Sequence, residues 1–169
     1  MTTIICGTNR PDSNSERIAK IYQELLNEES QILLLKDLPR DFVYADTYGD
    51  GSAEFNAIVK EKITNADKFI FIIPEYNGGF PGVLKAFIDA VHPSNFYDKK
   101  AALVGISSGH TGALRPMDQF SDILHYLKVE VLSAKPKLSG IENLLDGNNL
   151  TDERAKNLLV EQIERFARF

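Results

Sequence analysis

Thr2-Thr3-Ile4-Ile5-Cys6-Gly7-Thr8-Asn9-Arg10-Pro11-Asp12-Ser13-Asn14-Ser15 is the stretch on which the reading of this chain turns. Thr2 to Cys6 is dominated by β-branched residues and no charge interrupts it, so it reads as a buried strand. Gly7 ends it. Thr8 to Ser15 then holds three hydroxyls, two asparagines and an arginine. Ile18, Ile21, Tyr22 and Leu25 follow on one helical stripe. A strand, a polar turn and a helix N-terminus form a geometry that captures phosphate. The free N–H groups of the first helical turn and the helix dipole both favour an anion there. Arg10 can grip two phosphate oxygens at once. Ser13 or Ser15 also suits an N-cap, with Glu16 supporting the first turn. Capping needs one hydroxyl, however, and leaves the others and Arg10 unexplained. The loop has neither the GxGxxG of a dinucleotide fold nor the GxxxxGK-S/T of a nucleoside-triphosphate loop.

Working outward, Ser30 to Leu35 reads as a second strand, closed by Asp37-Leu38-Pro39. Residues 39–54 are rich in Asp, Gly and Tyr and read as the longest unstructured connection, a lid or a surface loop carrying Tyr44 and Tyr48. Glu54 to Asn65 is an amphipathic helix. Lys68 to Ile73 is a continuous apolar run of the kind found in central parallel strands. Phe80 to Val91 is a helix with Pro81 in its first turn, and its wide apolar stripe suits a partner subunit as well as the sheet. Lys100 to Ile106 is a fourth strand, Thr111 to Leu127 a helix that Thr111 can cap, and Val129 to Leu132 a short fifth strand. Asn149 to Phe169 closes the chain as a helix with Thr151 as its N-cap. Leu158, Leu159, Ile163, Phe166 and Phe169 are its inward side.

Five strands alternating with helices predict an α/β three-layer sandwich, a five-stranded parallel sheet in the order 2-1-3-4-5. The 169 residues suit one domain spanning 1–169. No apolar run approaches the ~18 residues of a membrane helix, and the N-terminus carries no secretory signal. Cys6, the only cysteine, excludes an internal disulfide and suits a reducing cytoplasm. The net charge of −5 without a basic cluster argues against a nucleic-acid partner.

In this strand order a crevice opens at the carboxyl ends of strands one and three. The loop after strand three should therefore face the phosphate loop. It reads Pro74-Glu75-Tyr76-Asn77-Gly78-Gly79-Phe80-Pro81-Gly82. Its glycines let the main chain approach a flat ligand closely. Tyr76 and Phe80 offer aromatic surface, and Asn77 a donor and an acceptor. A tight turn capped by Asn77 is the plain alternative. Ser107-Ser108-Gly109-His110-Thr111-Gly112 repeats the theme after strand four, with His110 a candidate ligand contact or surface residue.

Gly7-Thr8-Asn9-Arg10 with Ser13 and Ser15 resembles the phosphate loop of the NADPH-dependent FMN reductase family. Pro74-Glu75-Tyr76-Asn77, with Pro81-Gly82-Val83-Leu84-Lys85 and Asp89, is similar to that family's flavin-ring loop and the helix after it. Ser108 to Gly112 lines up with its glycine-rich third loop. The resemblance implies a flavodoxin-like fold holding FMN non-covalently. Thr8, Arg10, Ser13, Asn14 and Ser15 would bind the phosphate. Pro74, Glu75, Tyr76, Asn77 and Gly78 would line the ring, with Ser108, Gly109 and His110 at its other edge. It also implies NADPH or NADH as co-substrate, a small-molecule acceptor such as a flavin, quinone, azo dye or metal oxyanion, and a homodimer or homotetramer. Ala86 stands where the family commonly has Asn, and Ala90 where Trp is frequent; these departures bear on acceptor choice and on the subunit interface. A flavodoxin-type electron carrier without nicotinamide turnover shares the fold. A phosphoryl-receiver module is disfavoured, because the tips of strands one and three lack its acidic groups.

Overall fold

The computed structural model describes residues 1–169. A parallel sheet runs β2-β1-β3-β4-β5, the expected order. Its strands are β1 (Thr2–Cys6), β2 (Ser30–Leu34), β3 (Lys68–Pro74), β4 (Lys100–Ser107) and β5 (Glu130–Val131). β1 pairs in register with β2 on one side and β3 on the other, Ile5 lying level with Leu33 and Phe71. β1 and β3 are buried along almost their whole length, as continuous apolar strands between two helical layers must be.

Alternation along the strands divides the core in two. Ile5, Phe69, Phe71, Ile73 and Leu103 face one layer. It is made of α3 (Ala53–Val59), α4 (Gly82–Ala90) and α5 (Leu114–Tyr126). Phe71 packs edge-on against Phe120 of α5 at 4.9 Å between ring centres. Ile4, Ile70, Ile72, Ala102 and Val104 face the other layer. That layer holds α1 (Asn14–Leu25) and α6 (Glu153–Arg168). No helix is long and apolar enough to cross a membrane.

The fifth strand departs from expectation. β5 pairs only with Lys100 and Ala101 of β4; after a break, β6 (Lys137–Ser139) resumes the pairing at Gly105–Ser107. A hairpin of β7 (Leu145–Asp146) and β8 (Asn149–Leu150) then leads into α6. Gln162, fully buried on α6, fills the break. Its amide donates to the carbonyls of Leu103 at 2.9 Å and Ala134 at 2.7 Å, and it accepts from the Tyr22 phenol at 2.6 Å. This polar cluster knits α1 and α6 to the interrupted edge, and a buried amide needs such partners.

Several local expectations are corrected. Residues 39–54 are not unstructured throughout. They contain a one-turn helix, α2 (Phe42–Ala45), held by buried Phe42, which stacks on Phe55 at 5.8 Å. Asp46 is buried and accepts from the Ser52 amide, cinching the rest of the segment. The third helix gives way to a π-helical turn over Lys60–Thr64. α4 starts at Gly82, with Pro81 in extended conformation before it. On its apolar stripe Val83, Ala86 and Ala90 are half-buried against the core. Thr111 caps no helix, since Ala113 adopts a left-handed conformation (φ 59°) and α5 begins only at Leu114. Asp152, not Thr151, caps α6, accepting from the Ala155 amide at 2.7 Å. Leu158 lies on the exposed side of α6, while Leu159 and Phe166 are buried.

Candidate functional site

The loops that follow β1, β3 and β4 converge on one cleft of about 320 Å³ at the carboxyl edge of the sheet. Gly7 brings the first loop hard against β3. A Cβ there would sit 2.8 Å from the Ile72 carbonyl oxygen, so no larger residue fits. Thr8 is buried, and its hydroxyl lies 2.8 Å from the Tyr76 phenol of the loop after β3. The Arg10 amide donates back to Thr8 Oγ1 at 3.2 Å and shapes the turn. Ser13 caps α1, accepting from the Glu16 amide at 3.2 Å. Asn14 accepts from the Arg17 guanidinium at 2.9 Å. Beneath them the Cys6 thiol lies 3.8 Å from Ser13 Oγ. Burial pushes that thiol's pKa up, so it stays protonated and serves as packing.

The loop after β3 is a tight hairpin. Tyr76 and Gly79 exchange backbone bonds of 2.8 and 3.0 Å around Asn77 and Gly78, both at positive φ (52° and 79°). That Asn-Gly pair is the favoured chemistry of such a turn. Phe80 is not free aromatic surface; it packs edge-on against Phe120 at 5.4 Å. In the third loop, Ser107 Oγ donates to the Gly109 carbonyl and accepts from the Gly112 amide, both at 2.9 Å. Ser108 donates to Glu142 at 2.7 Å. Thr111 donates to the Glu75 carboxylate, tying the second and third loops together.

Of the thirteen residues singled out from the sequence, Arg10, Ser13, Asn14, Ser15, Pro74, Glu75, Tyr76 and Ser108 line this cleft. Thr8 sits directly beneath it through Tyr76. Asn77 and Gly78 form the hairpin tip. Gly109 has open space around it, since a Cβ there would meet nothing within 4 Å. His110 faces a different cleft, on the far side of the third loop. Six cleft residues lie outside those thirteen: Asp12, Arg17, Ile106, Ser107, Ile141 and Glu142. Arg17 was legible in principle, one helical turn after Asn14 at a helix N-terminus. Ile141 and Glu142 follow the break in the fifth strand, and no motif marks them.

The donor set fits a phosphate-bearing flavin. At one end stand the first turn of α1, buried Ser13 and Ser15, and Arg10, whose exposed guanidinium takes no protein partner. At the other end Pro74, Tyr76 and the open face of Gly109 leave room for a flat ring. Two of the three acidic groups are held by hydroxyls, Glu75 by Thr111 and Glu142 by Ser108.

A parallel sheet in this order, with three ligand-facing loops at its carboxyl edge, defines a flavodoxin-like protein. The profile of the family described as NADPH-dependent FMN reductase matches residues 2–139, and the chain belongs to that family. An NAD(P)H-dependent FMN reductase of Pseudomonas aeruginosa is 34% identical over 125 residues, covering 70% of this chain and 67% of that one. A 2-hydroxy-1,4-benzoquinone reductase of a Burkholderia species is 26% identical over 171 aligned positions, covering 97% and 92%. Among solved structures, the flavoenzyme NAD(P)H:acceptor oxidoreductase FerB of Paracoccus denitrificans superposes with a TM-score of 0.82 at 25% identity, covering 99% of this chain and 94% of that one. The chain is thus an NAD(P)H-dependent flavin and quinone oxidoreductase by family, with FMN as its cofactor.

Proposed function

We propose that residues 1–169 form one FMN-binding domain that passes hydride equivalents from NAD(P)H to quinones. The observation that carries this is the meeting of three loops on a single cleft, with Arg10, Ser13 and Ser15 in one loop and Pro74 and Tyr76 in another. FMN held there would supply the redox chemistry that couples nicotinamide oxidation to reduction of the acceptor.

The protein's own groups bind and orient. Arg10 and the amides of the first turn of α1 hold the phosphate, aided by Ser13, Asn14 and Ser15. Thr8 fixes the Tyr76 phenol, and so the wall of the ring site, relative to that phosphate. Pro74 to Gly78 line the ring, with main-chain N–H groups of the hairpin available to donate as its electron density grows. Ser108 and Gly109 border the other edge. No acid–base pair of the protein is needed.

A quinone is the acceptor best supported, because the quinone-reducing relative aligns along nearly the whole chain. A homodimer or homotetramer in the cytoplasm completes the reading, with the surface of α4 as the subunit contact. Titration with FMN tests it: the bound flavin should bleach on adding NADPH and regain its colour on adding 1,4-benzoquinone. Failure to bind FMN, or NADPH oxidation that stays at the blank rate with quinone present, sinks the proposal.

A further inference from the structure

The third loop is a wall shared by two clefts. Ser107 and Ser108 face the flavin cleft; His110 and Thr111 face another of about 690 Å³, between β6 and α6. That volume suits a drug-sized or larger ligand. Its lining is cationic, with Lys135, Lys137, Arg154 and Arg165 set against Asp152 and Glu161. Most of these are already engaged. Arg165 pairs with Glu161 at 2.6 Å, Lys135 donates to Ser121 at 2.7 Å beside Asp118, and Asp152 is committed to capping α6. Lys137 and Arg154 form no ion pair. In a chain of net charge −5, two unneutralised cations turned toward one cleft mark a place for an anion.

The cleft is mechanically joined to the flavin site. Ser139 Oγ donates to the His110 carbonyl at 2.9 Å, and the Gly140 amide to the Gly109 carbonyl at 3.0 Å. Gly112 packs so closely on β6 that a Cβ there would fall 2.6 Å from the Cβ of Lys137. The strand that carries Lys137 and the loop at the edge of the flavin cleft are therefore one unit. Thr111, at the rim, reaches across to Glu75.

We propose that this second cleft holds the phosphate-bearing half of the nicotinamide dinucleotide, with Lys137 and Arg154 as its anion contacts. The nicotinamide end crosses the third loop to reach the flavin. Arg154 offers the planar fork that suits phosphate, and Lys137 a mobile point charge. A 2′-phosphate brings additional negative charge, so the cleft selects NADPH over NADH. The inference rests on the oxidoreductase reading above and adds the site and the basis of coenzyme choice.

The test compares the FMN-loaded wild type with Lys137→Ala, Arg154→Ala and the double variant. Both residues are exposed, and retained melting temperature confirms folding. KM for NADPH should rise about tenfold in the double variant, more than KM for NADH, while KM for quinone stays put. Calorimetry with 2′,5′-ADP reads the cleft without turnover: the wild type should bind it and the double variant should not. An NADPH KM within twofold of wild type, or 2′,5′-ADP binding that survives both substitutions, overturns the proposal. So does a rise in the quinone KM alone, which would give the cleft to the acceptor. A wild type that binds 2′,5′-ADP but never oxidises NADPH would instead overturn the oxidoreductase reading and leave the cleft standing as an anion site.

Discussion

The phenol oxygen of Tyr76 lies 2.8 Å from the hydroxyl oxygen of Thr8, joining the tips of β1 and β3. In the function proposed above, one tip would hold the phosphate and the other would wall the ring, so this bond would set the spacing between the two ends of the cofactor. Breaking it leaves Thr8, which is buried, with only the Arg10 amide as partner. Tyr76→Phe keeps the ring and removes the bond. A net loss of about 1 kcal/mol is expected for one such interaction, which is a several-fold rise in the FMN dissociation constant. Quenching of FMN fluorescence measures it, and an unchanged constant would show that the bond sets nothing.

Arg10 is exposed and unpaired beside the N-terminus of α1, which gives it one evident task. Arg10→Ala should weaken FMN by roughly 10- to 100-fold, the range for a charge-assisted contact of about 1.5–3 kcal/mol. Riboflavin has the same ring and no phosphate, so its affinity should barely change. Equal losses for the two ligands would move Arg10 away from the phosphate.

The sheet order and the three loops were legible because both rest on local pattern. Apolar runs such as Lys68 to Ile73 announce central strands, and glycine-rich, hydroxyl-rich turns announce strand tips. The second half of the fifth strand was not legible. Lys137-Leu138-Ser139 has a single apolar residue, too short for period-two alternation to register. Gln162 was hidden for a related reason. On a helix patterned by Leu159, Ile163 and Phe166 an amide reads as surface, and only the strand break creates a buried place for it. Glu142 depends on the same break. The late start of α5 depends on the backbone at Ala113, where φ is positive in a residue that rarely adopts it. His110 lies on the expected loop but lines the second cleft, since sequence fixes where a loop lies before it fixes which way each side chain turns.

The Tyr22–Gln162 bond gives a stability prediction independent of the cofactor. Tyr22→Phe preserves shape but removes the donor to Gln162 Oε1, a buried acceptor. An unsatisfied buried group costs about 1–3 kcal/mol. In a chain of this size each kcal/mol shifts the melting temperature by roughly 2–4 °C. Gln162→Leu should do more harm, because the carbonyls of Leu103 and Ala134 lose their donors together. Thermal melts of the apoprotein decide it. A Tyr22→Phe protein as stable as wild type would mean that water replaces the phenol.

Acid should weaken the fold through Glu16. Lys36 and Lys20 donate to its carboxylate at 2.6 and 3.0 Å and hold its pKa below the ordinary value. A carboxyl whose pKa is lower folded than unfolded binds fewer protons in the native state. It therefore adds stability above its unfolded pKa and loses it as the pH falls through the folded one. Wild type should lose this contribution below about pH 4.5, on the order of 1 kcal/mol for a partly exposed ion pair. Glu16→Gln should be less stable than wild type at pH 7, and the gap should shrink as the pH falls below the ordinary Glu value and through the lowered one. Denaturant midpoints taken across pH 3–7 measure the gap. A gap that stays constant with pH would assign the role of Glu16 to packing and helix propensity, since neither titrates.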